Sequence, residues 1–201
     1  MEVKQQILTK SEELFMRYGI KSITMDDIAR DLGISKKTLY QYVENKSDLI
    51  SQIFQQKIAS EKQCMADIRQ AATDAVDEIL RIARYVIQEL RQMSPTTMYD
   101  LRKYYRSTWR QMEALHQRHI YQLIRENLER GQREGLYRSN IDVDIIAKLY
   151  VAKTSLVVDE DMFPTQQYNI EKLFAEYMMY HIHGIASAKG LAVLAMHPAI
   201  S

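Results

Sequence analysis

One cysteine, three prolines and six glycines in 201 residues leave this chain with little of what interrupts regular structure. A lone thiol, Cys64, excludes an internal disulfide framework and suits a reducing compartment, where it is expected to act as a buried small hydrophobe. So few helix breakers point to long, uninterrupted helices and an all-α fold. No stretch approaches the roughly 20 apolar residues needed to cross a bilayer. The opening residues, MEVKQQILTK, lack the apolar segment of a signal peptide, so a cytoplasmic chain with no membrane partner is expected. Net charge is scarce as well. The balance of 27 Lys+Arg against 26 Asp+Glu gives +1, which is not the footprint of a generic nucleic-acid coat protein. Also absent are a Gly-x-Ser-x-Gly elbow, a phosphate-cradling glycine loop and a Cys-x-x-Cys pair, so neither enzymatic activity nor a cofactor is expected. Glu113-x-x-His116 has the spacing of a helical di-iron ligand pair but occurs once, and His181-x-His183 sends its rings to different faces of a helix. No metal site is therefore expected.

What is present is concentrated between Ser22 and Ile50. Thr24 is a good N-cap with Asp27 three residues on, the two halves of a capping box, and Asp26 adds a second negative charge to the first turn. Ile28, Ala29 and Leu32 recur on one face. Gly33 can adopt the left-handed conformation that ends a helix, Ile34 anchors the turn, and Ser35 is the next N-cap. On the second helix Leu39 and Val43 face inward, leaving Lys36, Lys37, Thr38, Gln41 and Tyr42 outward. Two short helices around a glycine turn are how a small domain offers a helix to the major groove. Lysines neutralise phosphates or donate to guanine acceptors, while Thr38 and Gln41 suit base edges. Thr24, Ser35, Tyr40 and Lys46 complete the expected DNA-binding set. Residues 1–47 hold eight Lys/Arg against seven Asp/Glu, so binding must come from the placement of a few cations and be salt-sensitive.

The order Leu14-Phe15-x-x-Tyr18-Gly19-Ile20, Thr24-Met-Asp-Asp-Ile-Ala and Gly33-Ile-Ser-Lys-Lys-Thr-Leu-Tyr40-x-Tyr-Val-x-Asn-Lys46-x-Asp-Leu49 resembles the N-terminal domain of TetR/AcrR-family transcriptional regulators. Val43 stands where that family usually carries phenylalanine, which implies looser packing rather than another fold. The resemblance implies a three-helix DNA-binding domain over residues 1–46. It also implies a helical-bundle domain over 47–201 that binds a small-molecule effector and forms a homodimer. A twofold dimer would read a palindromic double-stranded operator with half-sites about 34–36 Å apart or slightly more. The functional expectation is a repressor released by its effector; the alternative is a DNA-binding regulator controlled by a protein partner.

Helical periodicity continues along the rest of the chain, over about 3–18, 46–69, 73–93, 97–106, 108–131, 143–158 and 168–188, with Gly131 and Gly135 breaking the pattern. The last two helices carry more apolar surface than one core-facing stripe requires, which marks Ile146, Tyr150, Phe174, Tyr177, Met178, His181, Ile182 and Ile185 as the expected dimer interface. Tyr85, Met93, Tyr105, Trp109, Met112, His116, Tyr121 and Tyr150 form an aromatic and methionine-rich set suited to line an effector pocket, although core helices show such stripes too. Arg102, Arg106 and Arg110 recur at every fourth position, either as a solvated face or as a strip meeting an anionic ligand such as a fatty acid or acyl thioester.

Overall fold

The computed structural model describes residues 3–92, 94–159, 161–164 and 166–198. Within them lie α1 (Val3–Tyr18), α2 (Met25–Asp31), α3 (Lys36–Leu39), α4 (Lys46–Ala71), α5 (Ala75–Gln92), α6 (Pro95–Tyr104), α7 (Arg106–Arg133), α8 (Val143–Val157), α9 (Ile170–Ile185) and α10 (Ala188–Leu194). The described residues hold no strand, only an isolated antiparallel bridge between Tyr137 and Ala186. The chain divides into two compact units, residues 1–63 with 93–116 and residues 64–92 with 117–201. The helix-turn-helix thus packs with material well beyond residue 46.

The first unit closes around Ile7, Phe15, Ile28, Leu39, Leu49, Leu101 and Met112, drawn from α1, α2, α3, α4, α6 and α7. Each fully buried Leu or Ile contributes about 2 kcal/mol by leaving water. Val43 is buried with them, so the smaller side chain is accommodated. Helix α1 stops at Gly19, whose φ of 81° lies in the left-handed region. A Cβ there would also come within 3.0 Å of Thr96 Cγ2 and 3.2 Å of Asp100 Oδ2, so both backbone and space require glycine. Helix α6 takes hold of this end. The Thr97 hydroxyl donates to the Phe15 carbonyl at 2.7 Å, and the buried Asp100 carboxylate accepts the Lys21 amide at 2.7 Å. The second bond satisfies a backbone amide left over where α1 ends, while the first adds a second donor to a carbonyl that also accepts the Gly19 amide at 2.9 Å. Pro95 opens α6 at its first turn, behind the Ser94 N-cap, so the Ser94-Pro95 boundary starts a helix as well as stopping one.

The second unit is built on α5, which buries Val76, Ile79, Leu80, Ala83 and Ile87 against α7, α8, α9 and α10. A polar network seals the start of α5. Arg130 bridges Glu78 at 2.8 Å and Glu134 at 2.7 Å, Glu134 accepts the Ala75 amide at 2.7 Å, and the buried Tyr137 hydroxyl donates to the Ala75 carbonyl or Asn127 Oδ1, each 2.9 Å away. Two expectations change here. Gly131 does not break α7 but lies buried within it, because the Tyr137 ring sits where its Cβ would be, 2.0 Å away. The last helix does not run through 188. It ends at Ile185, where Ala186 turns extended to meet Tyr137, and Ser187 caps a separate α10.

Candidate nucleic-acid interface

The helix-turn-helix forms as its capping residues dictate. Thr24 Oγ1 accepts the Asp27 amide at 3.1 Å, and the Asp27 carboxylate accepts the Thr24 amide at 2.9 Å and hydroxyl at 2.6 Å, closing the capping box. These bonds, the hydroxyl's first, hold the Asp27 carboxyl below its ordinary value. Gly33 takes φ 65° with open space around it, and the Ile34 amide reaches back to the Ala29 carbonyl at 3.0 Å, completing the turn. Ser35 caps α3 by accepting the Thr38 amide at 3.0 Å, and Leu39 and Val43 are buried as the periodicity requires.

The expected DNA-binding residues divide by what they touch. Lys37, Tyr40 and Gln41 are exposed on α3 and the turn that follows it. Lys36 is exposed but salt-bridged to Asp26 at 2.8 Å across the turn, and that contact raises its pKa. Asp26 therefore does more than complement a helix dipole: it orients a cation of the recognition segment. Thr38 is half-buried with its hydroxyl 2.8 Å from that of Ser35, and Tyr42 packs half-buried against the unit's core. Thr24 and Ser35 present their oxygens to their own helices, leaving the exposed backbone at each helix start.

Lys46 is placed differently from these residues. Rather than extending outward, its ammonium donates to the carbonyls of Ile20 and Ile23 and lies 5.6 Å from the centre of the Phe15 ring. Burial lowers its pKa, against the opposing pull of Asp100 and Asp27. Lysine serves here because the turn after α1 leaves two carbonyls directed at the start of α4, and an ammonium can donate to both. The helix start is secured independently by Asn45, whose Oδ1 accepts the Asp48 amide at 3.0 Å.

The expected effector residues are drawn from both units. Tyr105, Trp109 and Met112 help to close the core of the first unit, while His116 meets Phe54 edge-on at 6.5 Å and Glu61 at 3.7 Å. Arg102 lies 5.3 Å over the Trp109 ring. Tyr85, Tyr121 and Tyr150 belong to the second unit, where Tyr121 donates to Asp144 at 2.7 Å and the buried Tyr150 hydroxyl lies 3.2 Å from Met178 Sδ. Met93 lies outside the described residues. An open cleft of about 300 Å³ lies elsewhere, between α1 and α2, lined by Gln6, Thr9, Lys10, Glu13, Asp31 and Leu32.

The expected dimer residues are mostly committed to the chain's own interior. Tyr150, Phe174, Met178, Ile182 and Ile185 are buried in the second unit's core, with Ile146, Tyr177 and His181 packed partly beside them. Helices α8 and α9 leave exposed a different stripe, Ile145 (55%), Leu149 (47%), Leu156 (43%) and Tyr180 (68%), with Lys153 4.7 Å from the centre of the Tyr180 ring. Among the described residues, no helix is long and apolar enough to cross a membrane.

Comparison with known proteins agrees with this geometry. Residues 7–53 match the family described as bacterial regulatory proteins, tetR family. An uncharacterized HTH-type transcriptional regulator of Bacillus subtilis, YvaF, is 23% identical over 184 residues, covering 91% of this chain and 95% of its own. Among solved structures, the fatty acid degradation regulator FadR from Bacillus halodurans superimposes with a TM-score of 0.72 at 18% identity, covering 92% of this chain and 97% of that one. FadR from Bacillus subtilis, solved in complex with stearoyl-CoA, gives 0.68 at 18% identity, covering 90% and 98%. At such identities the structures establish a shared fold, while the sequence match covers the helix-turn-helix itself. Residues 7–53 thus carry the helix-turn-helix of the tetR family of bacterial regulatory proteins, in a chain similar along most of its length to a protein named an HTH-type transcriptional regulator.

Proposed function

We propose that the chain is a repressor that binds a palindromic operator as a homodimer and is released by a small-molecule effector. The observation that carries this reading is the exposed face of Lys37, Tyr40 and Gln41 on a turn fixed by two caps and a buried core, with Lys36 oriented beside it by Asp26. Such a face offers an ammonium, an amide and a phenol, groups suited to the base edges and phosphates of a major groove. Residues 1–46 supply the DNA-reading elements and residues 47–201 the effector-binding and dimerisation functions, in a cytoplasmic protein. The apolar stripe of Ile145, Leu149 and Leu156 with Tyr180 is the surface that a second copy would cover. Two recognition segments would then meet half-sites about 34–36 Å apart.

The effector would act by favouring the form of the dimer with the weaker operator affinity. A 100-fold loss of affinity requires about 2.7 kcal/mol of coupling, within the usual allosteric range. Because two similar structures carry names or ligands of fatty-acid metabolism, fatty acids and acyl thioesters are the first class to screen against the aromatic residues of the middle helices. Selection of genomic DNA fragments by the purified protein, with competitor DNA at moderate salt, tests the reading. A recovered palindrome supports it, and loss of that binding on adding an effector completes it. Absence of any enriched sequence, with and without the candidate effectors, refutes it.

A further inference from the structure

We propose that a lysine–tyrosine cluster joining the α1–α2 turn to α6 is a second DNA-contacting surface, one that holds backbone phosphates flanking the stretch read by α3. The proposal rests on the DNA-binding reading above. Lys21 donates to the Tyr104 hydroxyl at 3.1 Å and its ammonium lies 4.3 Å from the centre of that ring. Lys103 lies 4.9 Å from the Tyr99 ring centre and 5.4 Å from that of Tyr104, and the two rings meet edge-on at 6.5 Å. All four side chains are exposed.

The partners chosen by these lysines are the unusual part. Around the helix-turn-helix, Lys10 pairs with Glu13 and Asp31, Arg30 with Asp27 and Lys36 with Asp26. Lys21 and Lys103 turn to phenols, which hold the ammonium groups in place without neutralising them. The carboxylate facing the cluster is Asp100, and it is buried with one oxygen on the Lys21 amide. Positive charge therefore stands uncompensated at the surface, and the Tyr104 phenol is held below its ordinary value, first by the Lys21 hydrogen bond.

Ammonium and phenol groups are both donors to phosphate oxygen, and stacking on the rings reduces the ordering cost when an anion arrives. Position selects DNA as the occupant. Lys21 is three residues from Thr24, so the two α-carbons lie at most about 11 Å apart, and Thr24 caps the helix that in this motif crosses the DNA backbone.

The full chain and its Lys21→Gln/Lys103→Gln variant would be titrated with the duplex recovered by genomic selection, between 50 and 200 mM salt, with Lys37→Ala as a control for the recognition face. The expected result is a log–log salt slope shallower by about 0.9 for each phosphate no longer neutralised, weakening all operator sequences alike, with an unchanged thermal transition. An unchanged slope overturns the proposal, as does weaker binding at an unchanged slope, which would mark a packing role between α1 and α6. If the unaltered chain binds no duplex, the DNA-binding reading itself fails and the cluster's role falls with it.

Discussion

Lowering the pH from 7.5 to 5.0 should destabilise this protein through one imidazole in particular. His181, on α9, packs edge-on against Tyr150 at 4.8 Å and against Tyr177 at 6.4 Å. Burial, with a smaller contribution from the Lys153 charge, pushes its pKa down from 6.5 to about 4. The folded state thus keeps the ring neutral where the unfolded chain protonates it. Because the unfolded state then binds more protons, stability is full above about pH 6.5, declines as pH falls below that value, and levels off once pH passes about 4. At pH 5.0 the loss relative to pH 7.5 is about 2 kcal/mol, approaching about 3 kcal/mol below pH 4. Denaturant unfolding at fixed protein concentration would measure it, comparing the unaltered chain with His181→Phe, which keeps an aromatic ring and removes the titration. The unaltered protein should lose about 2 kcal/mol more between the two pH values than the variant. Equal losses would refute the argument, showing that protonated imidazole is accommodated beside Tyr150 and Lys153.

The remaining predictions separate residues of similar chemistry by what they touch. Lys37→Ala should weaken operator binding by about 1–3 kcal/mol with unchanged stability, whereas Lys46→Met should lower unfolding stability by about 2 kcal/mol, because two carbonyls lose their donor. Parallel binding and unfolding titrations would show it, and a reversed pattern would place Lys46 on the DNA. Gly131→Ala should cost about 3 kcal/mol in a denaturant series, as its Cβ enters the Tyr137 ring, while Gly135→Ala, at φ 70° in open space, should cost about 1 kcal/mol. Leu149→Glu should convert a dimer into monomers in sedimentation at micromolar concentration without unfolding them; a persistent dimer would exclude the exposed α8 stripe as the interface.

What was legible in the sequence was mostly what is local in the chain. The capping box, the glycine turn and the Ser35 cap each close within three to five residues, so their donors and acceptors stand together in the text of the chain as they do in space. Lys46 carries no such signal. Its partners are 23 and 26 residues away, and a lysine at a helix start looks the same whether it faces phosphate or the carbonyls of its own fold. The Thr97 and Asp100 contacts to the end of α1, 82 and 79 residues distant, were invisible for the same reason. On α9, periodicity found the apolar columns but could not assign their partners. Phe174, Met178, Ile182 and Ile185 went to the interior, leaving Tyr180 outside. Gly131 offered a usable clue. A glycine inside an otherwise regular helix gives up about 1 kcal/mol relative to alanine, a sacrifice that signals close approach by something else. Here it is the ring six residues onward, anchored through Asn127 and the start of α5. The residue that reads as a helix breaker is therefore the one that lets α7 run on beneath Tyr137.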